Sequence, residues 1–462
     1  VSNGAVVNQT RIRSRFDVYD GADVILANGT INAATLATSD AGAFSGTGTI
    51  NANGIVDLYD TITFNGSNSF SKTLAGGGID LNVTADGGGE FGVDSLNIIN
   101  GANVGASYVT VDTLLVEGAS SSLNASSTIY TQVEFDVNGG AQVNGQSLRI
   151  NGGYGVVEGA GSRVDLTSDL RIGGLNGEAA DLFIEEGAAV AARWIHISDS
   201  VDTGEAVVEV IDTGSSLSAT ENIYVGRNGG TADLNIRGGA TVSAGDDIVI
   251  GSDAVVNLTV YGHNQLNAGT DGDGGIQNDG EVNLFAYANL AAGVYTPVTV
   301  GSTSGEITGA GEINAFGGAW DLAAKTFTVG ALVDGSAGLV NADLDGARAQ
   351  FDGGDLVVGF AEGADGDASF SVAEITDVAS VGGFSTLQVY GFTTDMELGV
   401  DESVLLSFNV GEGLDAESFE FWHRDDAVSP WTLIDPDLAS YADGWVNFTV
   451  TGFSDYALTV PE

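Results

Sequence analysis

Catalysis needs partnered groups, and this chain supplies acids far in excess of anything that would work with them. Its 462 residues hold 63 Asp or Glu against 13 Lys or Arg, three His and no Cys. General acid–base chemistry asks for a base and its conjugate within hydrogen-bond reach. His196, His263 and His423 each stand alone in the sequence, and His196 alternates with Ile195 and Ile197 as an outward-facing strand residue would. No Gly-x-Ser-x-Gly elbow, phosphate loop or metal-spaced His pair is present. Arg149, Arg163, Arg171, Arg193, Arg227 and Arg237 occur singly, each expected to pair with acids on neighbouring strands. The expectation is a protein without catalytic residues or a bound cofactor, not an enzyme.

Three other groups of residues bear on binding. Asp271-Gly-Asp273-Gly-Gly275 and Asp365-Gly-Asp367 place oxygen ligands at alternate positions with Gly for the bend, like fragments of Ca²⁺ loops. Neither has a bidentate Glu at the right distance downstream, and Asp and Gly are also ordinary turn residues. Arg11, Arg13 and Arg15 lie two apart and project from one face of a strand. They suit either a local cap or an intersubunit contact with acids of the next copy. Trp422, Trp431 and Trp445 fall in the last 62 residues, where exposed rings would stack on sugars and buried ones would fill a small core.

The net charge of −50 opposes non-specific binding to nucleic acid and makes copies repel at low salt. The absence of Cys excludes disulfides and thiolate metal sites. No apolar run approaches the ~20 residues of a membrane-spanning helix.

The elements that position these residues follow from an internal repeat. Apolar alternation, a Gly-Ala corner, a second short strand, and a third ending in Ile-Gly or Val-Gly recur along the chain. Val133-Glu-Phe-Asp-Val-Asn-Gly-Gly-Ala141 matches Ala232-Asp-Leu-Asn-Ile-Arg-Gly-Gly-Ala240. The third strand recurs as Asp169-Leu-Arg-Ile-Gly-Gly174, Asn222-Ile-Tyr-Val-Gly226 and Asp247-Ile-Val-Ile-Gly251. Corner glycines at 101, 118, 140, 159, 187, 214, 239 and 262 are about 23 residues apart. Three strands and three turns of that length make one coil of a right-handed parallel β-helix. The inward set is then Leu182, Ile184, Val190, Ile195 and Ile197, and in a later coil Leu234, Ile236, Val242, Ile248 and Ile250. The reading is all-β: an N-terminal strand or cap over 1–20, a solenoid over 21–330 that is clearest over 94–279, and a β-sandwich-like domain over 331–462.

Units such as Leu234-Asn-Ile-Arg-Gly-Gly-Ala-Thr-Val-Ser243 resemble the solenoid repeats of bacterial autotransporter passengers. The C-terminal translocator of that family has no counterpart here. The end of the chain, Phe421-Trp-His-Arg-Asp425, Trp431-Thr-Leu433 and Asp443 to Glu462, resembles the domain that precedes a PEP-CTERM sorting signal. That resemblance implies export, processing and a place at a bacterial cell surface or matrix. The expected function is an extracellular structural subunit, a homo-oligomer joined end to end into a filament. The alternatives are an adhesin or carbohydrate-binding module for surface or matrix polysaccharide, and more remotely a polysaccharide lyase.

Overall fold

The computed structural model describes residues 6–8, 15–18, 24–38, 44–65, 79–83 and 90–93 as backbone. It describes 94–460 with side chains, apart from 107, 174–177, 199–203, 271, 273, 303–304, 362–367, 377, 379, 382–383, 396–403, 412–418, 426–428, 435–439, 443 and 451. The side chains of 341, 384–385, 440–442 and 460 are also outside it. Among the described residues there is no α-helix, and no helix is long and apolar enough to cross a membrane.

Short runs of alternating apolar residues, broken every four to six positions by Gly, Ser or Asp, wind into a parallel β-solenoid. One coil consists of Gly153–Glu158, Arg163–Leu166 and Asp169–Ile172. The next consists of Ala180–Glu185, Ala189–Ala192 and Trp194–Ile197, each strand paired in parallel with its predecessor. Two further coils follow in the same register. The rod therefore has three parallel sheets, here called first, second and third in chain order within a coil. The sense expected of such crossovers is right-handed.

Earlier in the chain the third and first strands run on as one. In Thr128–Asn138 the first half pairs with Ser147–Ile150 and the second half with Gly153–Glu158. The backbone of Val24–Thr38 and Phe44–Asn65 continues this pattern, with Val6–Asn8 and Arg15–Val18 parallel on Val24–Thr38.

All ten residues expected to face inward are at 1% exposure or less. Their period-2 spacing sends every second side chain into the shaft, where coils stack about 4.8 Å apart. The coil is not of constant length. On the second sheet, partners are 19 residues apart at Val104–Leu123, 27 at Val190–Leu217 and 32 at Leu266–Val298. Length is absorbed at the corners, so the inward register survives. Of the eight corner glycines, seven have positive φ. Gly262 does not, and Asn264 takes the left-handed conformation in that corner.

The far end of the shaft is closed by a small antiparallel sheet of Gly293–Tyr295, Ala319–Asp321 and Thr326–Val329, whose Phe327 is fully buried in the solenoid core. Beyond it, two sheets face each other over an aromatic core of Phe351, Phe360, Phe370, Tyr390, Phe408, Phe448 and Tyr456. One includes Arg348–Phe351, Leu356–Phe360, Val404–Asn409 and Trp445–Val450; the other includes Ala368–Glu374, Phe384–Thr394, Glu420–Arg424 and Asp455–Val460.

This sandwich sits directly on the end of the rod. Phe285 and Phe316 stack at 4.9 Å and pack against Leu405, while Ala288 packs with Val357 and Trp445. The Arg348 side chain crosses the junction and donates to the carbonyls of Tyr287 (2.9 Å), Ala288 (3.4 Å), Leu290 (2.7 Å) and Gly330 (3.3 Å). Leu356–Phe360 and Trp445–Val450 are consequently buried on both faces.

Candidate binding face

With alternate residues inside, the remaining ones form ladders on three outer faces, and the faces differ in chemistry. The second sheet shows small neutral groups such as Ser122, Asn124, Gln142, Asn144, Ser216, Ser218 and Ser243, with Arg163 bound to Asp165.

The first sheet is acidic. Asp136, Asp181 and Glu185 all have carboxyls raised above the ordinary range. Partial burial is the main cause in each, and surrounding acids add to it: Glu158, Glu134 and Glu117 for Asp136, Glu158 and Asp212 for Glu185. Hydrogen bonds from Asn138 to Asp136 and from the Val207 backbone to Asp181 oppose the shift without cancelling it. Arg237, ion-paired with Glu209, is a cation on this face. Further along, Asn235, Asn257, Asn283 and Asn314 form an amide ladder with side-chain bonds of 2.8–3.0 Å.

A carboxyl whose folded-state pKa is raised holds its proton more tightly folded than unfolded. Stability is then highest below the unfolded pKa and is lost as pH rises through the folded one. Thermal melts followed by circular dichroism should show a higher midpoint at mildly acidic pH than at pH 7. Added salt should shrink the difference, and a midpoint that falls on acidification to that range would contradict the account.

The third sheet is aromatic and cationic. Its outward column runs Tyr130, Arg149, Arg171, His196, Tyr224, each directly paired with the next. Tyr130 comes from Thr128–Asn138 and the others from the repeated strands Ser147–Ile150, Asp169–Ile172, Trp194–Ile197 and Ile223–Val225, in which the apolar residue on either side of each column residue is buried in the shaft. The Arg149 guanidinium lies 5.5 Å from the Tyr130 ring centre, and Tyr130 packs against Tyr108 at 5.5 Å. His196 stacks on Tyr224 at 5.0 Å, and Arg227 covers Tyr224 at 4.4 Å. Beside the column, Arg193 lies over Trp194 at 3.8 Å and bonds Glu221 at 2.7 Å, while Asp169 is paired with Trp194. Arg149 and Arg227 are thus placed on rings, where pairing with acids was expected. The column passes into an open cleft lined by Asn222, Asp246, Asp247, Gln277 and Glu306, in which the Gly275 amide donates to Asp247 at 2.9 Å.

The residues singled out in the sequence are scattered by comparison. Asp271, Asp273, Asp365 and Asp367 lie outside the described residues, as do Arg11 and Arg13. Among the described residues no three His, Asp or Glu converge as metal ligands. Arg15 opens a strand paired through its backbone with Thr35. Trp445 is only 5% exposed, packed between sandwich and solenoid, so its ring is not available to a sugar. Trp422 is partly buried and donates to Thr459 Oγ1 at 3.1 Å. Trp431 is covered by Arg424 at 4.5 Å. The three His are far apart in role: His196 is in the column, His263 Nδ1 accepts from the Thr296 amide at 3.0 Å, and His423 lies 3.7 Å from Asp425.

Sequence reasoning treated the arginines one by one and missed the column. The signal was present: Leu-Arg-Ile, Leu-Arg-Ile, Ile-His-Ile and Ile-Tyr-Val occupy the same strand of successive coils. No protein-family model, no curated protein and no solved structure matches the chain.

Proposed function

We propose that this chain is an exported, non-catalytic rod that holds an extended polysaccharide of a cell surface or matrix along its third sheet. The observation that carries the reading is the in-register column Tyr130, Arg149, Arg171, His196, Tyr224 with Trp194 beside it. A small ligand calls for a concave, largely apolar pocket. This face is long, open and repetitive, the shape suited to a polymer. An extended pyranose chain advances by roughly one strand spacing per sugar, so successive sugars meet successive coils. Aromatic rings and fork-shaped guanidinium donors suit sugar faces and hydroxyls. Nucleic acid, with its dense charge, is opposed by the net charge of −50.

The test is affinity electrophoresis of the full chain through gels containing neutral or acidic polysaccharides. Retardation by at least one polymer is expected. Replacing both Trp194 and Tyr224 by Ala should weaken it at least fivefold, about 1 kcal/mol, with the β-sheet spectrum unchanged. No retardation by any polymer would sink the proposal.

A second reading, end-to-end assembly into a filament, is favoured by one observation. Among the described residues, Val6–Asn8 and Arg15–Val18 pair only with Val24–Thr38, leaving one edge of each for a further strand. Filaments in electron micrographs of the purified chain would support it.

A further inference from the structure

We infer that the first sheet carries a second binding face, for an extended segment of another protein that brings an apolar side chain flanked by basic ones. The face lies apart from the third-sheet column and does not depend on polysaccharide binding there.

An apolar pair stands where the solenoid does not need one. Val156 and Phe183 occupy outward positions of Gly153–Glu158 and Ala180–Glu185 and are directly paired. Both stay partly exposed, as does Val207, and Tyr154 beside them is 44% exposed. On the same shaft, outward positions of the second sheet hold Ser122, Gln142, Asn144, Ser216 and Ser218. Further along the first sheet, the column that contains Val156 and Phe183 continues through Glu209 into Asn235, Asn257, Asn283 and Asn314. Stacked coils therefore accept polar groups at these positions, and the core is filled by the inward side chains.

Acids and Tyr154 ring the pair. Asp181 and Glu185 stand two residues either side of Phe183, and Glu158 stands two residues beyond Val156. Asp136 precedes Val156 in the column, and Glu209 follows Phe183. Glu158 and Glu185 are directly paired, a like-charge contact. Glu209 is held by Arg237, which closes one end of the patch. Among the described residues no Arg, Lys or His lies within ion-pair distance of Asp136, Glu158, Asp181 or Glu185. Burial is the main reason that the carboxyls of Asp136, Asp181 and Glu185 lie above their ordinary range, so they have already shed part of their water. A cation arriving there meets carboxyls whose desolvation is partly complete.

An apolar centre inside a polar rim is the layout of a protein–protein contact, and the dimensions here suit a peptide. Asp136 to Glu209 spans three coil steps, roughly 14 Å, and Asp181 to Glu185 spans roughly 13 Å along its strand. An extended ligand presents every second side chain on one side. A segment of the form basic-x-apolar-x-basic thus matches Asp181, Phe183 and Glu185 position for position. Its basic groups meet the two carboxyls while its apolar group covers Phe183 and Val156. The net charge of −50 draws such a segment in from a distance.

Fluorescence anisotropy of a labelled peptide, tandem copies of Lys-Ser-Leu-Ser-Lys, titrated with the full chain at physiological salt tests this. Saturable binding is expected. A peptide with Ser in place of each Leu should bind about tenfold more weakly, and one with Glu in place of each Lys should not bind. Phe183→Thr keeps a strand-forming residue and should weaken the Leu peptide about tenfold, with the β-sheet spectrum unchanged. Glu158→Gln combined with Glu185→Gln should weaken it about as much and melt no lower than the parent chain, because a like-charge contact is relieved. Glu281→Gln combined with Glu312→Gln, a paired couple on the same sheet beside Asn283 and Asn314, should leave binding unchanged. Equal binding of the Ser peptide, or an equal loss in the Glu281 and Glu312 variant, would show diffuse attraction to an acidic rod and overturn the assignment. No binding of the Leu peptide, or undiminished binding by Phe183→Thr or by the Glu158 and Glu185 variant, overturns it too.

Discussion

Arg348→Ala is expected to uncouple the sandwich from the rod, splitting one thermal unfolding transition into two. Arg348 is 2% exposed, and its charge is met by main-chain carbonyls at the junction. Among the described residues no carboxylate is within ion-pair distance of it. Burial accordingly lowers its pKa, though a guanidinium remains protonated across the working range. Its stem fills the space beside Gly317, where a Cβ would stand 2.7 Å from Arg348 Cγ. Truncation removes the donor from up to four carbonyls and opens a hole in the same place. Leaving such groups buried and unpaired costs roughly 3–5 kcal/mol. Besides Arg348, the junction holds a short antiparallel backbone bridge at Phe316 and Ala361, with the Gly317 amide donating to the Phe360 carbonyl at 2.9 Å, the Phe285–Phe316–Leu405 stack and the Trp445 contact. Arg348→Lys should recover little, since one ammonium cannot span carbonyls that a planar fork reaches. Calorimetry would settle it: a single transition within about a degree of the parent midpoint would mean the remaining contacts alone hold the junction.

The inward face of the solenoid was legible because its signal is local. Alternation in Leu234-Asn-Ile236 or Ile195-His-Ile197 fixes which side chains are inside, whatever the length of the corners between them. The proposed binding face was harder to see because it depends on register between coils. Spacings that vary from 19 to 32 residues hide the fact that Arg149, Arg171, His196 and Tyr224 share one column. Trp445 misled for a related reason. The strand Trp445–Val450 is buried at every position, since one side meets the sandwich core and the other the rod. Alternation is absent there, and nothing local says that a second surface covers the ring. The amide ladder from Asn235 to Asn314 was likewise invisible, because a lone Asn in each strand looks like an ordinary outward residue.

Gly251→Ala tests how the coils are spaced, and the expected effect is large. The Ile-Gly and Val-Gly corners look in the sequence like places where Gly supplies positive φ. That holds for Gly226 but not for Gly251, whose backbone is in the ordinary region. Its requirement is closeness. A Cβ at Gly251 would lie 2.0 Å from the Gly226 carbonyl oxygen of the coil below, and one at Gly280 would lie 2.2 Å from the Gly251 oxygen. The same contact recurs at Gly311 against Gly280. These atoms are backbone, held by ladder bonds such as Gly251 N–H to Val225 O at 2.8 Å. They cannot move aside without opening the sheet. Overpacking of this kind costs about 3 kcal/mol or more. Because each coil contacts only its neighbours, the damage should stay local. Hydrogen exchange should quicken at Ile248–Ile250 and Ile276–Asn278 while Asp169–Ile172 and Trp194–Ile197 keep their protection. Gly262→Ala is the control: that corner has open space around it and no positive φ, so its stability should change by less than about 0.5 kcal/mol. Native exchange at Ile248–Ile250 in Gly251→Ala would mean that the coils can part without cost, and the close stacking that sets the spacing of the arginine column would lose its support.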